Sequence, residues 1–161
     1  MASDLVALTD AMVSALQAAP TAGRLSMECD VKRVYDKDFE LEKVKDYTQG
    51  GSVMVRLSPE DEPDQEAATQ IRGVLALDYR IQFLVVAKCP DIANESVDPV
   101  LDLLQELRDY FFKQDDAYRP TGRTQNTYKI ETASFFDRQR LIDSNLIVST
   151  FFLTSKEIRR R

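Results

Sequence analysis

The chain contains no histidine among its 161 residues. Histidine is the commonest general base, a usual zinc ligand and the partner of many nucleophilic serines and cysteines. Its absence removes the commonest catalytic and zinc-binding arrangements. The acidic residues between 36 and 46 are interspersed with lysines, which is typical of a solvated surface rather than of two carboxylates converging in a pocket. We therefore expect no enzymatic activity, no metal and no cofactor.

Cysteines and long apolar runs are also scarce. The two cysteines, Cys29 and Cys89, both lie in strand-like segments. The N-terminal segment has no basic region and carries acidic residues within its apolar pattern, so we expect no export and two reduced, buried thiols. The longest apolar run, "LIVSTFFL", is too short to span a bilayer, and no membrane partner is expected.

Basic residues are outnumbered by acidic ones, 21 against 27, which gives a net charge of -6. This balance argues against a protein that grips nucleic acid, which is usually basic, but is compatible with one that surrounds DNA without gripping it. Two further motifs are missing. The segment "DYTQGGS" lacks the spacing of a phosphate-binding loop, and "SPEDEPDQE" lacks the ligand spacing of a calcium loop.

Two segments repeat apolar residues at helical spacing. The first lies within residues 1–23 and ends at a turn that contains Pro20 and Gly23. The second carries an apolar stripe from Val97 to Phe111, and Asp98-Pro99 has the composition of a helix start. These patterns predict two amphipathic helices.

Alternating apolar residues predict five strands, centred on residues 27–31, 53–57, 79–87, 127–132 and 146–155. The predicted order is α-β-β-β-α-β-β. It indicates an α+β fold in a single domain spanning 1–161, with a mixed or mainly antiparallel sheet of about five strands and two helices packed on one face. Residues 156–161, "KEIRRR", form a basic C-terminal tail in this interpretation.

The last predicted strand is apolar on both sides. Leu146, Val148 and Phe152 share one side of the alternation, and Ile147, Phe151 and Leu153 share the other. If both helices cover the same side, the opposite side needs another cover. We therefore predict that Leu146, Val148 and Phe152 contribute to a subunit interface.

Three stretches together resemble the tail terminator, or tail completion, proteins of the neck of long-tailed bacteriophages. The first is "VKRVYDKDFELEKVKDYTQGGSVMVRLSP", which is similar to their first strand, acidic-apolar connector and second strand. The second is "RGVLALDYRIQFLVVAKCPD", similar to their long strand, and the third is "VDPVLDLLQELRDYFF", similar to the long helix that follows. The final "LIVSTFFLTS" matches their closing strand. The resemblance covers about residues 27–155.

This resemblance implies a structural virion protein, assembled in the host cytoplasm. Such proteins form a ring, commonly of six identical subunits, that caps the tail-tube protein and joins it to a head-completion or adaptor protein. DNA passes through the lumen without sequence-specific binding. No cofactor or reaction is implied.

The ring interpretation assigns roles to three groups of residues. In the charged connector, Phe39, Leu41 and Val44 are candidate anchors on a neighbouring subunit. Candidate acidic residues of the lumen or its rim are Glu60, Asp61, Glu62, Asp64 and Glu66. At the C-terminus, Arg159, Arg160 and Arg161 are compatible with phosphate contact, with a frayed end, or with docking into an acidic groove of a neighbouring subunit.

Three other functions stay open at this point. The chain is also compatible with a different ring of the neck, such as a head-closure or adaptor protein. A monomeric binding module or inhibitor is the second alternative. A small enzyme is the least favoured, because no histidine and no nucleophile pocket are evident.

Overall fold

The computed structural model describes residues 4–35, 53–60, 74–113 and 126–160. Within these ranges the chain forms three helices and five strands. In chain order they are α1 Asp4–Ala18, β1 Cys29–Arg33, β2 Val53–Pro59, β3 Val74–Lys88, α2 Asn94–Lys113, β4 Asn126–Ser134, α3 Arg138–Ser144 and β5 Leu146–Arg160.

The five strands form one mixed sheet in the order β1-β2-β3-β5-β4. β1 and β2 are parallel, with Cys29 opposite Val53, and the remaining neighbours are antiparallel. The predicted α+β class, the five-stranded mixed sheet and the antiparallel pairing of the second and third strands are therefore confirmed. Because β1 and β2 are parallel, both strands begin at the same end of the sheet.

α1 and α2 pack on the same face of the sheet, which we call the first sheet face. Their apolar stripes join the inward residues of β2, β3 and β5 in one buried cluster. Phe83 and Phe151 are opposite each other on β3 and β5, and their rings stack with centroids 4.7 Å apart. α1 is followed by a turn in which Gly23 has a φ of 72°, a left-handed conformation that favours glycine.

The predicted number of helices was too small, because the connector before β5 contains α3. The side chain of Asp137 caps this helix by accepting hydrogen bonds from the backbone N–H groups of Gln139 and Arg140. Asn145 ends it in a left-handed conformation and donates its backbone N–H to the carbonyl of Leu141. The order of elements is therefore α-β-β-β-α-β-α-β.

α2 begins earlier than predicted. Its first residue is Asn94, so Pro99 lies inside the helix rather than in its first turn. The carboxylate of Asp91 accepts the backbone N–H of Ala93, 2.9 Å away, just before the helix. The backbone N–H of Val97 then donates to the carbonyl of Ala93. These contacts organise the start of the helix ahead of the proline.

β5 is longer than predicted. Residues 156–160, assigned above to a basic tail, continue the strand and pair with Asp78, Leu77, Ala76, Leu75 and Val74 of β3. β2 reaches β3 only as far as the pair Pro59–Ile81, and β4 reaches β5 only as far as Asn126–Glu157. Among the described strands, the pairs beyond Asn126–Glu157 form a two-stranded ribbon that ends at Arg160.

Candidate interaction surfaces

The opposite side of the sheet, which we call the second sheet face, is the main candidate surface. Alternation along each strand defines it, because successive side chains point to opposite faces. Its central members are Met54, Arg56 and Ser58 of β2, Arg80, Gln82, Leu84 and Val86 of β3, and Leu146, Val148, Thr150 and Phe152 of β5.

One end of the second sheet face is apolar. Met54 and Val86 are only 1% exposed and Leu146 is 4% exposed, and Leu84 and Val148 pack against them while staying partly exposed. Every member of this small cluster lies on a strand, whereas the apolar stripes of α1 and α2 belong to the other cluster. The two faces of the sheet therefore carry separate apolar clusters.

A buried ion pair lies beside the apolar cluster. The Arg56 side chain is 7% exposed, and its Nη2 lies 3.0 Å from Oδ2 of Asp30 on the neighbouring strand. Its Nη1 donates to the backbone carbonyl of Asp30 at 2.7 Å and to that of Val55 at 3.2 Å. The guanidinium is thus held in one orientation, which fixes β1 against β2 on this face.

The other part of the second sheet face is more polar. The guanidinium of Arg80 lies over the ring of Phe152, 4.2 Å from its centroid. The same guanidinium is 3.8 Å from a carboxylate oxygen of Glu131 on β4. Phe152 therefore presents a ring that is partly covered by a cation. An apolar patch bordered by charged and aromatic groups is a common composition for a protein–protein contact.

The structure brings together the three interface residues predicted on the last strand. Leu146, Val148 and Phe152 lie on the second sheet face, while Ile147 and Phe151 are buried on the first. Met54, Arg56 and Arg80 share the second face and were not among the predicted interface residues. In "VMVRLSP", Met54 and Arg56 alternate with Val53 and Val55, so they lie on the other face of the strand. This alternation could have identified Met54 and Arg56.

The other predicted residues are only partly described. Glu60 follows β2, and its backbone N–H donates to the carbonyl of Arg80 at 2.9 Å. Arg159 and Arg160 are opposite Leu75 and Val74 in the β3–β5 ribbon. The predicted residues that lie outside the described ranges are Phe39, Leu41, Val44, Asp61, Glu62, Asp64, Glu66 and Arg161.

Neither cysteine has the properties of a reactive thiol. Both are free. Burial, followed by the nearby carboxylate of Glu106, raises the pKa of Cys29 from 9.0 to about 12. Burial also raises the pKa of Cys89, with a smaller effect from Asp91. A nucleophilic cysteine requires a lowered pKa, so both thiols stay protonated at neutral pH.

An open groove of 460 Å³ lies between α1 and α2. Its lining residues are Ala11, Ser14, Ala15, Ala18, Ala19, Ala22, Arg24 and Tyr110. Small apolar side chains dominate this lining, and it contains no pair of carboxylates. Within the described residues, no group of three or more cysteines and carboxylates is placed to hold a metal ion. No helix in the same ranges is long and apolar enough to cross a membrane.

Compared with family models and with curated protein sequences, the chain matches none of them.

Proposed function

We propose that this chain is a structural subunit of a phage neck, of the tail terminator kind, and that it forms a ring that caps the tail tube. Six copies surround a lumen through which DNA passes, with tail-tube protein on one side of the ring and a head-completion or adaptor protein on the other. The protein functions as part of the virion and catalyses no reaction.

The observation that carries this proposal is the composition of the second sheet face. Val148, Leu84 and Phe152 stay partly exposed there, although each is a large apolar side chain. A ring requires two complementary surfaces on each subunit, and a broad β-sheet face that bears an apolar patch and charged neighbours provides one of them. The resemblance described above supplies the place of the ring in the neck.

The excess of acidic over basic residues supports a lumen through which DNA passes. A negatively charged wall repels the phosphate backbone, so it lets DNA slide instead of binding it. In this proposal Glu60 and the acidic residues that follow it face the lumen or its rim. Tight binding of duplex DNA by the assembled ring at moderate salt would contradict this assignment.

A monomeric binding module is the second candidate. The near-complete burial of Met54, Val86 and Leu146 within a single chain favours it, because a self-sufficient monomer shields its own apolar residues. The two candidates differ in what they predict for Val148 and Phe152. A ring covers these side chains with another copy, while a monomer leaves them partly exposed.

Co-purification with the cognate tail-tube protein tests the proposal. We expect the chain to be retained by tail-tube protein and not by portal protein, and we expect the double variant Val148→Asp/Phe152→Asp to lose this retention together with ring formation. The charged side chains would have to be buried without partners in the ring, so assembly should weaken by at least about tenfold.

Ile142→Asp is the matched control. Ile142 is 48% exposed on α3 and is not a member of the second-face cluster, so this variant should assemble as the wild type does. Circular dichroism confirms that each variant is folded. Retention by portal protein instead of tail-tube protein would assign the chain to an adaptor ring.

A further inference from the structure

The two edges of the sheet differ in how far their backbones are already in use. β1 forms one edge, and a side chain of α1 occupies part of it, because Nε2 of Gln17 donates to the carbonyl of Val31, 3.0 Å away. β4 forms the other edge, and no described strand pairs with its outer side. Lys129 and residues 131–134 are exposed there. β4 therefore offers backbone donors and acceptors to a further strand.

A bulge limits the usable length of the β4 edge. The pairing of β4 with β5 runs without interruption from Asn126 to Thr132, and the register then shifts before Ser134. An extra residue disrupts a ladder and bends its strand, so a regular partner strand can follow β4 only as far as Thr132. Bulges and charged side chains also discourage uncontrolled pairing at sheet edges. We therefore expect one short contact and not an extended stack of strands.

Two opposite charges lie on this edge, one on each side of Ile130. Lys129 and Glu131 are both on the second sheet face, opposite Thr154 and Phe152 of β5. The side chain of Lys129 is 74% exposed and that of Glu131 is 51% exposed. Nζ of Lys129 lies 3.2 Å from Oε1 of Glu131, so this pair carries no net charge. A second strand with the same sequence is therefore not repelled by it.

The order lysine, isoleucine, glutamate is complementary to itself in antiparallel pairing. If two β4 strands pair about Ile130, Lys129 of each copy lies directly opposite Glu131 of the other. The two Ile130 side chains are then opposite each other on the first sheet face, where Ile130 packs against the core. Opposite charges at opposed positions stabilise such a pair, whereas centring it on Lys129 or on Glu131 opposes two like charges. The charges therefore favour one register.

We infer that β4 pairs antiparallel with β4 of a second copy of this chain, with a two-fold axis at Ile130. The contact uses the same surface on both copies, so it is separate from the head-to-tail contacts that close a ring and does not rest on the ring proposed above. It joins two free chains or two rings. One strand pair is small beside the about 1,200–2,000 Å² that stable interfaces bury, so we expect association at roughly hundreds of micromolar.

Cross-linking through one introduced cysteine tests the register. In a chain that carries Cys29→Ala and Cys89→Ala, Ile130→Cys should form a disulfide-linked dimer under mild oxidation at roughly 0.5 mM protein, because directly opposed residues have Cα atoms about 4.5–5.5 Å apart. Thr132→Cys is the matched control, on the same strand and the same face. Two Thr132 positions are about 14 Å apart along the strands in this register, too far for a disulfide. We expect Ile130→Cys to cross-link at least tenfold faster, although Thr132 is the more exposed residue.

Charge reversal tests the opposed pairs without a cross-link. Lys129→Glu alone and Glu131→Lys alone each oppose like charges across the contact, so each should associate at least about threefold more weakly than the wild type. The rise of the sedimentation coefficient between micromolar and roughly 0.5 mM protein measures this association. An equimolar mixture of the two variants should regain it, because each reversed position then faces an opposite charge. Arg138→Glu on α3 changes the net charge as much as Lys129→Glu does and should associate as the wild type does.

The results separate the β4 contact from the ring. Equal cross-linking rates for Ile130→Cys and Thr132→Cys would overturn the β4 contact, and so would a mixture of the two charge variants that associates no better than either alone. Both results leave the ring proposal standing. If Ile130→Cys cross-links rapidly in a protein that forms no ring, the β4 contact stands and the ring proposal is wrong.

Discussion

At the scale of single residues, the strongest constraint on the second sheet face is the pair formed by Arg56 and Asp30. The guanidinium is nearly inaccessible to solvent, whereas the carboxylate is 39% exposed. A buried cation without a partner is costly, while replacing it with an apolar side chain of similar size is often tolerated. The two halves of this ion pair should therefore respond differently to substitution.

Asp30→Ala should destabilise the protein by roughly 2 kcal/mol, below the usual cost of breaking a fully buried pair because Asp30 is partly exposed. Arg56→Met should cost less, since it removes the buried charge itself. Urea unfolding monitored by circular dichroism measures both values. Glu131→Ala is the control, because the contact of Glu131 with Arg80 is solvent-exposed. This substitution should change the free energy of unfolding by no more than about 0.5 kcal/mol. Equal effects of Asp30→Ala and Glu131→Ala would contradict the account.

At the scale of elements, the long β3–β5 pair organises the molecule. It joins the parallel β1–β2 edge to β4, and its ribbon continues to the C-terminal arginines. The charged sequence "KEIRRR" has little apolar character, so the sequence pattern predicted a tail. Pairing with β3 overrides that pattern, because the context of a strand within its sheet can outweigh the propensity of its residues.

Hydrogen exchange distinguishes a paired strand from a frayed tail. We expect the amides in residues 155–159 that bond to β3, which are every second one along the strand, to exchange at least tenfold more slowly than in the urea-unfolded chain. Deleting residues 156–161 should then accelerate exchange in residues 74–78. Exchange at the unfolded rate in the intact protein would contradict the pairing.

The strand and helix patterns of the sequence predicted most of the fold, for identifiable reasons. The alternation of apolar residues in β3 and the apolar stripe of α2 each extend over enough residues to distinguish a strand period from a helix period. α3 was missed because seven residues span only two turns, although Asp137 and Asn145 carry its cap signals. The parallel pairing of β1 and β2 depends on the connection between the strands and not on any local pattern, so the prediction could not go beyond a mixed sheet.

The interface candidates were predictable only in part. β5 has apolar residues on both faces, and this composition identified Leu146, Val148 and Phe152 as a set. Alternation separates the two faces of a strand, so the three residues could be assigned to one face. Arg80 could not be assigned, since its position over Phe152 depends on the register between β3 and β5.

At the scale of the whole molecule, the two faces of the sheet differ in how far the described chain covers them. α1 and α2 shield the first sheet face, and the second retains partly exposed apolar side chains. We propose that another copy of the chain covers these side chains.

Native mass spectrometry of the purified protein tests this central claim most directly. The subunit mass is 18.3 kDa. We predict one closed assembly at micromolar concentration, with a mass of six subunits, that dissociates to single chains when the second sheet face carries Val148→Asp and Phe152→Asp. Detection of only the 18.3 kDa chain across the accessible concentration range would contradict the claim that the protein functions as a ring.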